Sequence, residues 1–124
     1  MPLEALKKAA EDLKPRLVAI RRELHMNPEL SMEEFETTRR IRGWLEEAGL
    51  SVQTFGLKTG LVVDIEGASP GPTVALRADI DALPVTEETG LPFASCEPGK
   101  MHACGHDFHT ASMIGAALLL HKRR

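Results

Sequence analysis

The sequence predicts an α/β domain, and three observations predict it. Two early stretches carry apolar residues at helical spacing, the middle breaks into short strand-like runs between Gly and Pro, and the chain closes on an apolar helix. Its 124 residues suit one domain, and 43% hydrophobic residues suffice for a core, which excludes disorder throughout. Aromatics are only 4%, so that core has to be aliphatic.

Residues 3–26 place Leu3, Leu6, Leu13, Leu17, Ile20 and Leu24 broadly on one face. Pro15 lacks an amide proton and is expected to start a second helix or kink the first. Ser31-Met32-Glu33-Glu34 reads as a capping box opening a helix over 32–48, with Phe35, Ile41, Trp44 and Leu45 as its buried stripe and Gly49 closing it. Strands are expected at 51–55 and 61–66, separated by a turn near Lys58-Thr59-Gly60. The breaker from Gly67 to Pro72 points to a return, and 73–78 is expected to be a buried strand delivering Asp79 and Asp81 at its C-terminal end. Residues 82–105 are long and irregular, a pattern that usually marks function. The helix over 108–120 is apolar nearly all round, so burial on most sides is expected, and the strands available are too few to supply it. The α/β domain therefore reads as incomplete.

Composition narrows the partners. A net charge of −3 with interspersed signs argues against nucleic acid and membrane surfaces. Glu4, Lys7, Lys8, Glu11 and Asp12 interrupt any signal-peptide-like run, and the longest apolar stretch, 116–120, is far too short to span a bilayer. Two cysteines, Cys96 and Cys104, make a disulfide framework improbable, so a reducing cytoplasm is the expected location.

The densest chemistry lies in Met101-His102-Ala103-Cys104-Gly105-His106-Asp107-Phe108-His109. In an extended segment His102, Cys104 and His106 would share a face, and Asp107 would cap the final helix. Thiolate and imidazole suit borderline cations such as zinc, and Asp79, Asp81 and Asp107 could balance the charge. The pattern matches neither a zinc finger nor a nucleobase deaminase, since no Cys-x-x-Cys pair exists. A second cluster, Arg77-Ala78-Asp79-Ile80-Asp81-Ala82-Leu83-Pro84, projects two carboxylates at a strand's C-terminal end, where α/β proteins place their sites. The third is Arg21-Arg22-Glu23-Leu24-His25-Met26-Asn27-Pro28-Glu29-Leu30. On its chemistry alone, the favoured reading is a salt-bridged joint with His25 satisfied locally. Cys96 reads as an ordinary loop cysteine, and the basic tail 121–124 suits a helix C-terminus.

These three segments, in this order, resemble the N-terminal part of the aminoacylase and hippurate hydrolase group of two-metal metallopeptidases, a carboxypeptidase-like group of N-acyl-amino-acid amidohydrolases. The resemblance runs from about Leu17 onward. It implies that 1–124 is a partial, zinc-peptidase-like catalytic domain with a mixed sheet and flanking helices. The dimerising lid domain and the C-terminal half of the catalytic domain would be absent. It further implies Cys104 and His106 as metal ligands, and Asp81 as the candidate catalytic residue, a carboxylate orienting a ligand from behind. Asp79 stands where related carboxypeptidases have a histidine ligand, which puts its contact with metal in doubt, and neither His102 nor His109 is assigned as a ligand. The cofactors implied are two divalent ions (zinc, manganese, nickel or cobalt), which would polarise an N-acyl amino acid's amide carbonyl and acidify the attacking water. A glutamate would move the proton to the leaving amine. The group's paired glutamates and later histidines have no counterpart in this sequence, so the chain alone is expected to be inactive. The alternative is a non-catalytic metal-binding domain that self-associates as a homo-oligomer over its uncovered face; a fragment of a longer gene product is the third possibility.

Overall fold

The structure, a computed structural model, describes residues 2–124. Helix α1 runs over Leu3–Met26 and is continuous through Pro15, so the expected break is corrected. Proline deprives the Glu11 carbonyl of its helical donor, but both residues are exposed and water can satisfy that oxygen. Helix α2 spans Phe35–Glu47 and has no side-chain cap from the expected Ser31 box. Its first turn is capped from outside instead. The Glu29 carboxylate accepts the Glu36 and Thr37 amides and the Thr37 hydroxyl. A carboxylate does this work well because the helix start presents unpaired amides and partial positive charge. Phe35 stays exposed, whereas Ile41 and Leu45 are buried and Trp44 packs against the core.

The end of α2 follows the sequence closely. Gly49 has φ +88°, its amide donates to the Glu46 carbonyl at 2.9 Å, and Leu50 donates to the Leu45 carbonyl at 3.1 Å. Both orphan carbonyls are thereby met, and Leu50 and Leu45 are both buried. Gly49→Ala is expected to cost about 1–2 kcal/mol, since a Cβ in the left-handed region meets the carbonyl oxygen; urea denaturation checks it, and an unchanged midpoint would contradict it.

Strands β1 (Val52–Gln53) and β2 (Val62–Val63) pair antiparallel, with Val52 opposite Val63 and Gln53 opposite Val62. The pairing is shorter than expected, but Leu61, Val63 and Ile65 alternate onto the core as in a strand. The expected buried strand at 73–78 is corrected. Residues 73–77 are exposed and pair with no strand among the described residues, and Val74 and Leu76 are 79% and 60% exposed. With no neighbouring strand to cover them, they leave an open groove of about 290 Å³ against α3, lined by Leu76, Arg77, Ala78, His109, Met113 and Ala116.

Helix α3 (His106–Arg123) buries one face, through Ala111, Ile114, Gly115 and Leu118. Phe108 and Leu120 are exposed, so burial on most sides does not hold; α1 and α2 cover only the near side. Ile20, Leu24, Ile41, Leu45, Leu50, Ala111, Ile114 and Leu118 form the aliphatic core. Where α1 crosses α3, a Cβ added at Gly115 would lie 2.7 Å from Leu17 Cδ1. Gly115→Val would force that crossing apart and is expected to cost about 1–3 kcal/mol, read as a lowered urea midpoint.

The irregular segment after residue 81 is closed at its base. Leu83 and Met101 exchange backbone hydrogen bonds at 2.9 and 3.0 Å, Ala82 donates to the Glu29 carbonyl, and Cys96 donates to the Met26 carbonyl. This closure brings Asp81 beside the segment that enters α3. No helix among the described residues is long and apolar enough to cross a membrane.

Candidate metal centre

His106 begins α3, behind Gly105 at φ +108°, a conformation that glycine adopts without strain. Asp107 therefore lies inside the first turn rather than at the expected cap position. The His106 ring is fixed from one side: Nδ1 lies 2.9 Å from both the carbonyl oxygen and Oδ1 of Asp81. Both are acceptors, so Nδ1 carries the proton and the Nε2 lone pair is left open. Cys104 is exposed and unpaired with Cys96. Asp79 is engaged elsewhere: Arg77 donates to its Oδ1 at 2.8 and 3.1 Å, and its carbonyl accepts the Thr110 hydroxyl. His109 is exposed, with its ring 6.1 Å from that of His106.

Behind this surface lies a buried network whose members come from distant parts of the chain. Asp107 Oδ2 accepts Arg21 Nε at 2.8 Å and lies 2.8 Å from His25 Nδ1. His25 Nε2 lies 2.9 Å from Glu87 Oε1. The side chains of His25, Glu87 and Asp107 are all buried. Burial alone would raise the Asp107 carboxyl, but the His25 hydrogen bond, the Arg21 charge and the Phe108 amide together hold it below its ordinary range. Glu87 is likewise lowered: burial raises it, and the Thr89 hydroxyl, the Ser95 amide and His25 outweigh that. His25 bridges the two carboxylates, one at each ring nitrogen, and Arg21 joins it on Asp107. The expected locally satisfied His25 is thus corrected. Its partners lie 82 and 62 residues away.

His102 is buried beside His25, ring centroids 6.5 Å apart, and neither of its nitrogens has a hydrogen-bond partner; Asp107 Oδ1 is also unpartnered. Burial depresses the His102 imidazole, Asp107 opposes the shift, and the neighbouring His25 and His106 reinforce it. The expectation that His102, Cys104 and His106 share one face fails for His102, which is buried while Cys104 is exposed. The segment pairs only at Met101 and then bends, so strand alternation does not apply.

The donors fit a borderline divalent ion in kind: an exposed thiol and an imidazole oriented by a carboxylate. In number they fall short, because no group of three or more His, Cys, Asp or Glu among the described residues is arranged to hold an ion.

The sequence profile described as peptidase family M20/M25/M40 matches residues 75–124, the stretch holding Asp79, Asp81, Cys104 and His106. An N-acetylcysteine deacetylase of Bacillus subtilis is 58% identical over 88% of this chain and 29% of its own length. Thermostable carboxypeptidase 1 of Saccharolobus solfataricus is 46% identical over 98% of this chain and 31% of its own. The crystal structure of a dinuclear metal-binding peptidase from the M20 family, from Bacillus subtilis, superposes with a TM-score of 0.89 at 56% identity, over 92% of this chain and 32% of that one. Residues 75–124 thus match the M20 family, and 92% of the chain superposes on a peptidase of that family. The chain spans about three tenths of the length of these relatives.

Sequence reasoning missed Glu87 and Glu29 as parts of the architecture around this site. Glu87 sits in the irregular segment, whose length alone signalled importance. Nothing local to Glu87 announces a buried partner 62 residues upstream.

Proposed function

We propose that this chain supplies part of the metal site of a two-metal amidohydrolase that cleaves the amide bond of N-acyl amino acids or related peptides. The observation that carries this reading is the His106–Asp81 pair, with Nδ1 2.9 Å from Oδ1. A carboxylate behind an imidazole fixes the tautomer, aims the other nitrogen outward and makes it a better ligand. Cys104 and His106 Nε2 would hold the divalent ion (zinc, manganese, nickel or cobalt). When bound, two such ions polarise the amide carbonyl and acidify the attacking water.

The chain's own residues contribute orientation. Asp81 aligns His106, the Leu83–Met101 pairing keeps Asp81 beside it, and Asp79 stays with Arg77 rather than serving as a ligand. The remaining ligands, the general base and any lid are proposed to come from the part of the relatives that this chain does not match. A protein limited to residues 1–124 is therefore expected to show no turnover. The relatives' names, a deacetylase of an N-acyl amino acid, a carboxypeptidase and a dinuclear metal-binding peptidase, support the substrate class and the metal requirement.

The test is hydrolysis of N-acetyl amino acids and hippurate-like substrates by the complete gene product, with chelator and after restoring each metal. Activity lost to chelator and regained with metal is expected. Hydrolysis indifferent to chelator, or none with any of the four metals, would overturn the reading. A second reading, self-association, is favoured by the exposed Val74, Leu76, Phe108 and Leu120. It requires a dimer in size-exclusion chromatography at micromolar concentration, and a monomer ends it.

A further inference from the structure

His25 faces neither solvent nor the candidate ligands, yet it joins three separate segments. Through Nδ1 it meets Asp107, in the first turn of α3, and through Nε2 it meets Glu87, in the irregular segment; its own backbone ends α1. Glu87 then accepts the Ser95 amide at 2.9 Å and the Thr89 hydroxyl, so the same carboxylate shapes the far side of that segment. Phe93 closes over the junction, edge-on to His25 at 5.8 Å and within 4.6 Å of the Arg22 guanidinium. Asp107 adjoins His106, so where Asp107 is held determines where the His106 backbone starts the helix. Without a side chain bridging at position 25, Asp107 would keep Arg21 and Glu87 would keep Ser95 and Thr89, but no side-chain hydrogen bond would tie the first turn of α3 to the irregular segment.

From this geometry we infer that His25 is a positioning residue for the metal arm: through its bond to Asp107, it sets the placement of His106 and Cys104 relative to Asp81. The inference rests on the metal-site reading above. It assigns a role to the Arg21–Leu30 segment, whose chemistry alone read as a charged joint.

The experiment uses the complete gene product loaded with cobalt(II), which reports thiolate ligation by an absorption band as well as by affinity. Three variants separate the two arms of the clamp. His25→Asn keeps a donor near the Nδ1 position and so keeps the Asp107 bond. His25→Gln keeps a donor near Nε2 and so keeps only the Glu87 bond. His25→Ala keeps neither. Cobalt affinity is expected to fall about tenfold in the Gln variant and further in the Ala variant, with a shifted band, while the Asn variant stays within about threefold of the parent. Far-ultraviolet circular dichroism identifies variants that fail to fold; should Ala fail, the Asn and Gln pair still decides. Folded Asn and Gln variants that both match the parent in affinity and band position would overturn the inference and leave the metal reading intact. A parent protein that binds no cobalt through thiolate would remove both together.

Discussion

Asp107→Ala is expected to remove about 3–5 kcal/mol of folding stability. The side chain has no solvent exposure and accepts from Arg21 and the buried His25. Deleting the carboxylate leaves the buried His25 with Glu87 as its remaining hydrogen-bond partner and Arg21 without its ion pair. Asp107→Asn keeps the volume and one acceptor, so a smaller loss is expected. Urea denaturation near neutral pH measures both; a loss under about 1 kcal/mol for the alanine variant would show that the network is solvated or absent.

The same network fixes the pH response. Asp107 and Glu87 are both lowered in the folded state. Between folded and unfolded values the unfolded chain binds more protons, so stability rises with pH there. Their contribution is complete above the ordinary carboxylate range of about 4 and is lost as pH falls through the depressed folded values. His102, also lowered, acts in the same direction: its contribution is complete above about 6.5 and is lost on acidification below that. Stability measured against pH is therefore expected to fall on the acid side in two stages. Glu87→Gln should flatten the lower stage, and an unchanged acid limb in that variant would contradict this account.

The second large effect concerns Asp81. Asp81→Ala removes the carboxylate acceptor that holds His106 Nδ1, leaving the Asp81 backbone carbonyl as its remaining partner. Metal affinity and metal-dependent turnover in the complete gene product are each expected to fall about 10- to 100-fold, the usual cost of losing a carboxylate behind a histidine ligand. Asp79→Ala, which only frees Arg77, is expected to change affinity little. Equal losses from the two variants would mean that Asp79 is itself a ligand.

What the sequence made legible was chiefly what depends on near neighbours. The helical periodicity of α1 and α2 and the glycine stop at Gly49 are local matters, and the structure keeps them. The capping of α2 was misread because the acceptor is Glu29, seven and eight residues before the amides it meets, rather than Ser31. His25 was misjudged for the same reason on a larger scale: its partners are set by how α1, α3 and the irregular segment converge, which no window of sequence contains. Residues 73–77 have the composition of a buried strand, but burial is a property of neighbours, and none covers them here. Of the candidate site, the dense motif at 101–109 was legible because its residues are neighbours in the chain. The pairing of His106 with Asp81, 25 residues apart, depended on the Leu83–Met101 closure.

The most direct measurement is zinc and cobalt affinity, by titration calorimetry, of the complete gene product carrying Cys104→Ser together with His106→Ala. Loss of at least one high-affinity site, with the fold preserved by circular dichroism, is the result this account predicts. A doubly substituted protein that binds both ions with the parent's stoichiometry and affinity would contradict it.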